Sequence, residues 1–515
     1  MSTSSCVRRL KRPFLSAFPM TLVNRRVFQK LALPAVAGFA IFWAILRAAV
    51  QSITLDEADT YMFFVAREAK NIWHPGTNNH VLNSLLMWTF THLFGTFAVT
   101  ARAPALLGAI LYISVCYYLC QRVTDKSYLQ LPLFICLTYN PFIFDFMVAA
   151  RGYSLALAFL VAAIAVPLWY REKEGRLKKS CVAASLFLGL SFCANFSFAI
   201  IDASTFLAIA VWALRRRDQE SAMKILQACI LPGLATALLI GGYPVFHWPK
   251  GELWFGARSL GQMTKSVVDA SLFQLDWRYL PLSVYRKLTY LKPALLPVLA
   301  ILCVLQLAVT RIEGAWLEDA HARRMGRLAS ALAGIAALAI LIHWLAFRFY
   351  QLPLPMDRTA IYLVPFCTLI AGIIASVPAR SSMGVWCHRG LVAAFFMLSL
   401  YYLLCLRLTY FKEWEWNANV KDVYPVLARY NHQDGVTEIG TDWFYGSALN
   451  FYRLASGRET LEEIKAPLEP VPGKKIYVLH GLFDRKFIEQ ERLAIVYRGA
   501  STDIVVAINP EAIHP

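Results

Sequence analysis

Apolar segments of about 20 residues recur from Leu31 to Arg407, and they constrain the fold more than any other feature. A transmembrane helix needs about 20 mostly apolar residues, and about eleven segments qualify. The chain is 58% hydrophobic and 16% charged, with a mean hydropathy of +0.48, which excludes an ordinary soluble protein. We therefore predict an α-helical polytopic membrane protein with spans at residues 31–50, 103–121, 129–147, 153–170, 181–195, 198–214, 225–245, 293–310, 329–347, 359–378 and 390–407.

The formal charge of +18 indicates topology rather than a nucleic-acid partner. The basic residues form short clusters between apolar segments, as in cytoplasmic loops that follow the positive-inside bias. A cytoplasmic N-terminus places every cluster on the cytoplasmic side, and an odd number of spans then places the C-terminus outside. Nucleic-acid binding is accordingly excluded as a function class. The clusters are Arg8, Arg9, Lys11 and Arg12; Arg171, Lys173, Arg176, Lys178 and Lys179; Arg215, Arg216 and Arg217; and Arg323, Arg324 and Arg327.

The chain divides into a transmembrane module, residues 1–406, and a small soluble α/β domain, residues 407–515. Two long loops of the module face outward, at residues 51–102 and 246–292. The first contains an amphipathic stretch at 81–90, which we predict to lie along the membrane interface. The second is rich in aromatic residues and is expected to rest at the interface over a cavity. In the soluble domain we predict strands at 476–479, 494–497 and 503–506 and helices at 443–454 and 483–492.

An acidic pair, Asp56 and Glu57, opens the first outward loop, and Asp59 and His80 follow it. Placing a carboxylate against lipid costs free energy, so the pair suggests a site at the membrane surface. An Asp within hydrogen-bond reach of an acceptor hydroxyl can act as a general base while the hydroxyl attacks a sugar carbon. Glu57 is then expected to orient the nucleophile, perturb its neighbour or cap the turn. An ordinary solvated loop is the alternative interpretation.

Two arginines, Arg151 and Arg358, lie at predicted outer ends of spans, where the positive-inside bias gives no reason for a cation. A guanidinium group can bind the phosphate of a lipid-phosphate donor through paired, charge-assisted hydrogen bonds. The alternative is an arginine at a helix end that extends to headgroup phosphate. Asp145 is expected to pair with Arg151 rather than to serve a site.

Several other site types lack a signal in the sequence. His80, with Asn79 beside it, suggests binding of substrate hydroxyls, metal or phosphate, but no two-histidine spacing supports a metal site. No P-loop, Rossmann glycine pattern or nucleophile elbow is present, which argues against direct ATP use and serine hydrolysis. We therefore predict no metal ligands and no obligatory cofactor.

Four ordered motifs resemble those of the GT-C glycosyltransferases, and more narrowly the family 39 type, which includes protein O-mannosyltransferases and the lipid A aminoarabinose transferase. The resemblance covers about the first 215 residues and extends weakly to Asp357-Arg358-Thr359-Ala360. The segment around His80 stands where the family has a His-Pro-Pro or Pro-Pro-Leu element, but it lacks the prolines. The motifs are Leu55-Asp56-Glu57-Ala58, Asn78-Asn79-His80-Val81-Leu82-Asn83, Ala101-Arg102-Ala103-Pro104-Ala105-Leu106 and Ala150-Arg151-Gly152-Tyr153-Ser154-Leu155-Ala156-Leu157.

The resemblance implies an inverting transfer of a hexose or pentose from a polyprenyl-phosphate donor to a lipid, glycan or protein acceptor outside the cytoplasm. It implies a catalytic position at Asp56 with Glu57 as its neighbour. Arg151 and Arg358 are the candidates for the donor phosphate, and Asp59, Asn79, His80 and Tyr153 for substrate binding. Family members differ in metal requirement, so a divalent cation stays open. The expected location is a bacterial inner membrane with a periplasmic site.

The alternative function is a flippase or transporter of polyprenyl-linked glycans. Such a protein should carry polar residues through the depth of several spans, or broken helices in two matching halves. Here the candidates gather at the outer ends, and no internal repeat is evident. A membrane-bound sensor or scaffold is a third class, suggested only by the outward domain.

Overall fold

The computed structural model describes residues 22–170, 176–217, 220–249, 251–272, 275, 280–457 and 460–513. The prediction of a cytoplasmic N-terminus depends on the basic cluster Arg8 to Arg12, which lies outside these residues. Arg171 and Lys173 of the second basic cluster also lie outside them. Within them, eight helices are long and apolar enough to cross a membrane. The chain is a multi-pass membrane protein.

The helices of the membrane module correspond to ten of the eleven predicted spans. Their lipid-facing character is clearest at Ala294–Ile312, where only 11% of the most apolar window is buried. The helices are α1 Leu22–Val50, α2 Leu55–Thr60, α3 Val81–Phe94, α4 Ala98–Val123, α5 Ser127–Thr138, α6 Pro141–Phe146, α7 Tyr153–Trp169, α8 Arg176–Ala194, α9 Ala199–Leu214, α10 Ala222–Thr236, α11 Gly242–Phe246, α12 Leu260–Ser271, α13 Leu282–Ile312, α14 Ala320–Tyr350, α15 Leu363–Ser376 and α16 Ser382–Leu404. A π-helical turn, Ala237–Gly241, joins α10 to α11.

The predicted span at 129–147 is wrong as a continuous helix. It is broken into α5 and α6 at Asn140 and Pro141. The Asn140 side chain accepts hydrogen bonds from the backbone N–H groups of Phe142, at 3.0 Å, and Ile143, at 3.3 Å, and thereby caps α6. Pro141 occupies the first helical position, where its missing N–H costs nothing. Twelve residues of α5 are too few to cross a bilayer alone.

The two long loops contain more helix than the sequence predicted. The amphipathic stretch of the first loop forms α3, with Val81, Asn83 and Met87 fully buried against the module and Leu93 exposed. In the second, α12 forms and α13 begins at Leu282, so the prediction of a loop to residue 292 is wrong. An interfacial position for either segment stays a prediction.

The C-terminal region forms a small α/β domain. Its four-stranded sheet has the order β1-β2-β4-β3, with β1 and β2 parallel and the other neighbours antiparallel. The three predicted strands and both predicted helices are present, and three further elements, at 420–434, 439–441 and 510–513, were not predicted. The elements are α17 Val420–Asp434, β1 Ile439–Thr441, α18 Gly446–Ser456, β2 Ile476–His480, α19 Arg485–Gln490, β3 Ala494–Arg498, β4 Ile504–Ile508 and α20 Pro510–Ile513. The domain boundary at 406 and 407 stays a prediction.

The C-terminal domain packs against the segment that follows α1. The backbone N–H of Ile53 donates to the Tyr452 hydroxyl at 2.9 Å, and the rings of Tyr61 and Phe451 meet edge to face at 5.1 Å. Both contacts belong to one buried apolar cluster shared by the domain and residues 53–65. We call this end of the bundle, formed by residues 51–80 and the C-terminal domain, the capped end.

Candidate active site

Helix α2 sets the directions of the two acidic side chains. Thr54 caps it: the Thr54 hydroxyl accepts from the N–H of Glu57 at 3.2 Å, and the Glu57 carboxylate accepts from the N–H of Thr54 at 3.0 Å. Adjacent residues on a helix with 3.6 residues per turn point about 100° apart. The Asp56 side chain is 21% exposed, whereas that of Glu57 is 1% exposed. The pair therefore divides between two environments.

Glu57 is held in a buried ion pair with Arg102 of α4. Arg102 Nε donates to Glu57 Oε1 at 2.8 Å and Nη2 donates to Oε2 at 2.7 Å, while the N–H of Ala150 donates to Oε1 at 2.9 Å. The same guanidinium group also donates to the carbonyls of Gln51, at 2.8 Å, and Ser52, at 2.7 Å. These bonds join α1, α2, α4 and the turn before α7, and they occupy both oxygens of Glu57. A catalytic role for Glu57 stays a prediction.

Asp56 lies between the two predicted phosphate-binding arginines. Its Oδ2 atom is 3.6 Å from Arg151 Nη2 and 3.4 Å from Arg358 Nη1. That oxygen is buried and has no hydrogen-bond partner among the residues that the structure describes. Arg151 is fixed by donating to the Thr60 hydroxyl at 3.0 Å and to the Asn78 side-chain oxygen at 3.2 Å. Three residues far apart in sequence thus meet in one cluster.

Gly152 allows Arg151 to reach this position. It has a φ of +73°, a left-handed conformation that glycine adopts without steric cost. A Cβ atom here would lie 2.1 Å from the carbonyl oxygen of Ala194 and 3.0 Å from the Cβ of His80. The turn therefore packs directly on the end of α8 and the start of α3, so only glycine fits.

Arg358 is positioned by a strained turn and by the segment before α12. Asp357 has a φ of +46°, and its N–H donates to the Ser266 hydroxyl at 2.9 Å. The backbone of Ala257 exchanges two hydrogen bonds with Leu354, at 2.7 and 2.9 Å. This exchange carries the Phe255 ring to 5.2 Å from the Arg358 guanidinium carbon. A strained non-glycine residue beside a charged group is typical of a functional site.

Glu413 completes the charged cluster, although the sequence did not predict it as a site residue. Its carboxylate forms an ion pair with Arg358, whose guanidinium group also faces Asp56. Burial raises the pKa of Glu413 to about 7, against the lowering effect of Arg358, and the nearby Asp56 raises it further. Glu413 follows the last apolar segment, which ends on the same side of the membrane module as Asp56. This position was the only feature of the sequence that could have pointed to Glu413 as a site residue.

His80 lies beside both arginines as an uncharged imidazole. It is 4% exposed, its ring is 5.6 Å from that of Tyr153, and neither ring nitrogen has a hydrogen-bond partner among the described residues. Burial, and then the charges of Arg151 and Arg358, lower the pKa of His80 well below its usual value. A neutral imidazole can accept one hydrogen bond and donate one, which suits a sugar hydroxyl.

The other predicted binding residues differ in their placement. Asn79 is fully buried and is bound within its own loop, because its amide donates to the carbonyls of Ile72 and His74, each at 2.8 Å. The Tyr153 ring is buried, and besides His80 it contacts that of Phe146 at 4.9 Å. Their roles in substrate binding stay predictions.

Asp59 lies where α2 meets the C-terminal domain. Burial raises the pKa of Asp59, and a hydrogen bond from Ser447 of α18 opposes that rise. The nearby Asp56 raises it further, so the two carboxylates act on each other. Asp59 therefore borders the cluster on the side of the C-terminal domain, and its role in substrate binding stays a prediction.

Asp145 does not pair with Arg151, and that prediction is wrong. Its carboxylate binds Arg47, with Nη2 of Arg47 2.6 Å from Oδ1, and accepts the N–H of Lys412 at 2.9 Å. Arg47 occupies the last turn of α1 and is 1% exposed, so it needs a buried counter-ion of its own. Arg151 is left to face Asp56.

No group of three His, Cys, Asp or Glu side chains within the described part of the chain is arranged to hold a metal ion. The dependence on a divalent cation, which the sequence left open, stays open.

No family model and no curated protein matches this chain. Solved structures similar to it include the crystal structure of ArnT from Cupriavidus metallidurans bound to undecaprenyl phosphate, with 12% identity, a TM-score of 0.49, and coverage of 93% of this chain and 97% of that chain. The apo state of the same protein gives 11% identity, a TM-score of 0.48 and coverages of 95% and 100%. The cryo-EM structure of arabinosyltransferase EmbB from Mycobacterium smegmatis has 13% identity and a TM-score of 0.39, and the match covers 71% of this chain and 32% of that chain. With TM-scores below 0.5, these likenesses carry no argument about activity.

Proposed function

We propose that this chain is a membrane glycosyltransferase that moves a sugar, with inversion, from a polyprenyl-phosphate donor to an acceptor hydroxyl. One observation carries the proposal: the Asp56 carboxylate lies 3.6 Å from Arg151 and 3.4 Å from Arg358, and its buried Oδ2 has no hydrogen-bond partner among the described residues. A base beside two guanidinium groups is what transfer from a phosphate-linked sugar requires. The motifs that resemble the GT-C enzymes agree with it.

In the proposed reaction Asp56 takes the proton of the acceptor hydroxyl as that oxygen attacks the anomeric carbon. The bond from the anomeric carbon to the phosphate oxygen breaks, and its electron pair leaves with the polyprenyl phosphate. Attack from the face opposite the leaving group inverts the anomeric configuration. The proton on Asp56 then passes to water, and the base is restored.

Arg151 and Arg358 would stabilise the leaving phosphate. Its negative charge grows as the glycosidic bond breaks, so planar guanidinium donors bind the transition state more tightly than the donor itself. Arg151 is suited to this role because its Nε has no hydrogen-bond partner among the described residues and its side chain is 2% exposed. The neutral His80 would bind a hydroxyl of the transferred sugar or the acceptor.

The charge distribution supports a site on the extracytoplasmic side. The helix α8 ends at Ala194, which packs on Gly152 at the capped end, so Arg176, Lys178 and Lys179 lie at the opposite end. Helix α14 runs toward Arg358, which puts Arg323, Arg324 and Arg327 at that opposite end too. On the positive-inside bias we propose that the capped end, with the C-terminal domain, faces away from the cytoplasm, into the periplasm if the membrane is a bacterial inner membrane.

The test is a turnover assay of purified Asp56→Asn with a synthetic polyprenyl-phosphate sugar as donor. The change is nearly isosteric but removes the base, so release of polyprenyl phosphate should fall at least ~100-fold, in line with general base catalysis. Glu68→Gln is the matched control, because Glu68 lies in the same segment, is 71% exposed and forms an ion pair only with Lys70 among the described residues. Normal turnover by Asp56→Asn would sink the proposal, and donor binding without turnover by the wild type would favour a transporter.

A further inference from the structure

An aromatic and acidic surface lies at one edge of the C-terminal sheet. Strands β1 and β2 are parallel, so their carboxyl ends meet at the same edge. Asp442, Trp443 and Phe444 directly follow β1, and Phe483 and Asp484 follow β2. Ligands of open sheets with parallel strands commonly bind outside these carboxyl ends. We call these five residues the aromatic platform.

The rings of the platform form a stacked series. Trp443 and Phe444 lie 4.2 Å apart at an angle of 26°, and Phe444 and Phe483 lie 6.3 Å apart at 28°. The series continues to the imidazole of His480, 4.1 Å from Phe483. Trp443 is 40% exposed and Phe483 is 68% exposed. Both side chains are therefore held by stacking and remain partly exposed, which lowers the entropy cost of binding a ligand on them.

Carboxylates border these rings. The Asp442 side chain accepts the N–H of Phe444 at 2.9 Å, and that of Asp484 accepts the N–H of His480 at 2.8 Å, which fixes both groups. Neither forms an ion pair among the described residues. Asp442 is only 3% exposed, and burial raises its pKa to about 7, so it lies beneath the exposed surface. Asp484 is partly exposed, and its carboxyl group retains acceptor capacity for hydroxyl groups.

A second observation points to a polar ligand at the same place. The Tyr445 hydroxyl is fully buried within electrostatic reach of Asp442, Asp484 and Asp503, and it has no hydrogen-bond partner among the described residues. The indole N–H of Trp416, whose ring is 5.9 Å from Phe444, is also buried without such a partner. Buried polar groups are nearly always satisfied, so both are explained by a polar ligand or water ordered at the platform.

The platform connects to the helix that carries Asp56. The Asn417 side chain accepts the N–H of Leu55 at 2.8 Å and donates to the carbonyl of Phe444 at 2.9 Å. One amide group thus joins the start of α2 to the stacked rings.

We propose that the aromatic platform binds a sugar ring of the acceptor, with the apolar face of the ring against the exposed side chains of Trp443 and Phe483 and its hydroxyls bonded to Asp484. The proposal rests on the proposed function and gives its acceptor a chemical class, a glycan. Aromatic rings supply the apolar contact, and a carboxylate supplies acceptors for several hydroxyls at once. A membrane surface fits less well, because carboxylates are repelled by anionic lipid headgroups.

The experiment is saturation-transfer NMR on the full-length protein in detergent, with methyl glycosides of glucose, galactose, mannose, N-acetylglucosamine and arabinose as probes. We expect transfer to the ring protons of at least one glycoside, reduced at least fivefold in Phe483→Ala and in Trp443→Ala. Leu468→Ala is the control, since Leu468 is 83% exposed on the same domain and carries no aromatic face. Equal transfer in all four proteins, or none in the wild type, would overturn the proposal.

Two measurements separate this proposal from its alternatives. Saturation transfer measures glycoside binding without turnover, so the platform can fail while the transferase stands, and the reverse. Brominated lipids in reconstituted vesicles would quench Trp443 if the platform lay in the bilayer. A larger quenching of the wild type than of Trp443→Phe would therefore contradict a glycan site.

Discussion

Arg102 donates two hydrogen bonds to Glu57, at 2.8 and 2.7 Å, with both side chains almost completely buried. Removing one partner of such a pair leaves an uncompensated charge, which costs more than the intact pair contributes. Arg102→Ala should therefore destabilise the protein by about 3–5 kcal/mol. Thermal melting of the detergent-solubilised protein measures the effect.

The double variant Glu57→Gln with Arg102→Gln is the matched control for the pair. It removes both charges and keeps side chains of similar length, so its melting temperature should lie above that of Arg102→Ala. A double variant no more stable than the single one would show that the ion pair is not the main interaction at this position. Because a stable double variant retains Asp56, its turnover also tests whether Glu57 has any catalytic role.

The affinity for the donor should depend on pH through Glu413. Burial raises the pKa of Glu413 to about 7, so it is protonated below that pH and ionised above it. The ionised carboxylate would compete with the phosphate of the proposed donor for Arg358, and the protonated one would not. The dissociation constant of polyprenyl phosphate should therefore rise as pH increases from 6 to 8, as measured by isothermal titration.

Glu413→Gln removes the competing charge at every pH. At pH 8 the variant should bind polyprenyl phosphate more tightly than the wild type, and the rise of the dissociation constant between pH 6 and pH 8 should be absent. Glu415→Gln is the control, since Glu415 is an acidic neighbour that pairs with Lys412 rather than with Arg358. An unchanged slope in Glu413→Gln would contradict the competition.

Gly152→Ala should disrupt the position of Arg151. The new Cβ atom would lie 2.1 Å from the carbonyl oxygen of Ala194, so the turn before α7 must move. We expect both a lower melting temperature and weaker binding of polyprenyl phosphate. Gly435→Ala is the matched control, because Gly435 has a similar φ of +62° but nothing within 4 Å of an added Cβ. It should cost only the left-handed strain, about 1–2 kcal/mol, and leave binding unchanged.

Arg151→Lys should weaken donor binding while the protein stays folded. Lysine keeps the positive charge but lacks the planar guanidinium group. That group bonds to Thr60 and Asn78 and has further N–H donors for a phosphate. We expect a loss of affinity for polyprenyl phosphate of about tenfold or more, equivalent to about 1.4 kcal/mol. Arg67→Lys, at an exposed position in the segment that follows α2, should bind as the wild type does.

The sequence predicted the spans and the strands of the C-terminal domain because hydrophobic length and alternation are local signals. It missed the break at Asn140 and Pro141, where an apolar stretch of sufficient length is interrupted by one cap and one proline. It also missed β1, whose three residues are too few to show a period. Strand β1 is recognisable only by its pairing with β2 in the folded chain.

Predicting the site from sequence was limited by pairing between distant residues. Asp56, Arg151 and Arg358 were found because each charge lies where lipid disfavours it, and the structure brings them together. The partner of Asp145 was not predictable, since the choice between Arg47 and Arg151 depends on how α1 and α6 pack. Glu413 escaped for a similar reason, because its pairing with Arg358 joins two segments that only the fold brings together.

The contacts of Asp56 imply an order of assembly during synthesis. Helix α2, which carries Asp56, is complete early in synthesis. Arg358 and Glu413 are made some 300 residues or more later, and Tyr452, which accepts the N–H of Ile53, is made later still. Arg151 is made before α7, so the nascent chain holds Asp56 with this one counter-charge while α8 to α14 insert. The complete cluster of Asp56, Arg151, Arg358 and Glu413 therefore forms only after the last membrane helix, α16, has been made.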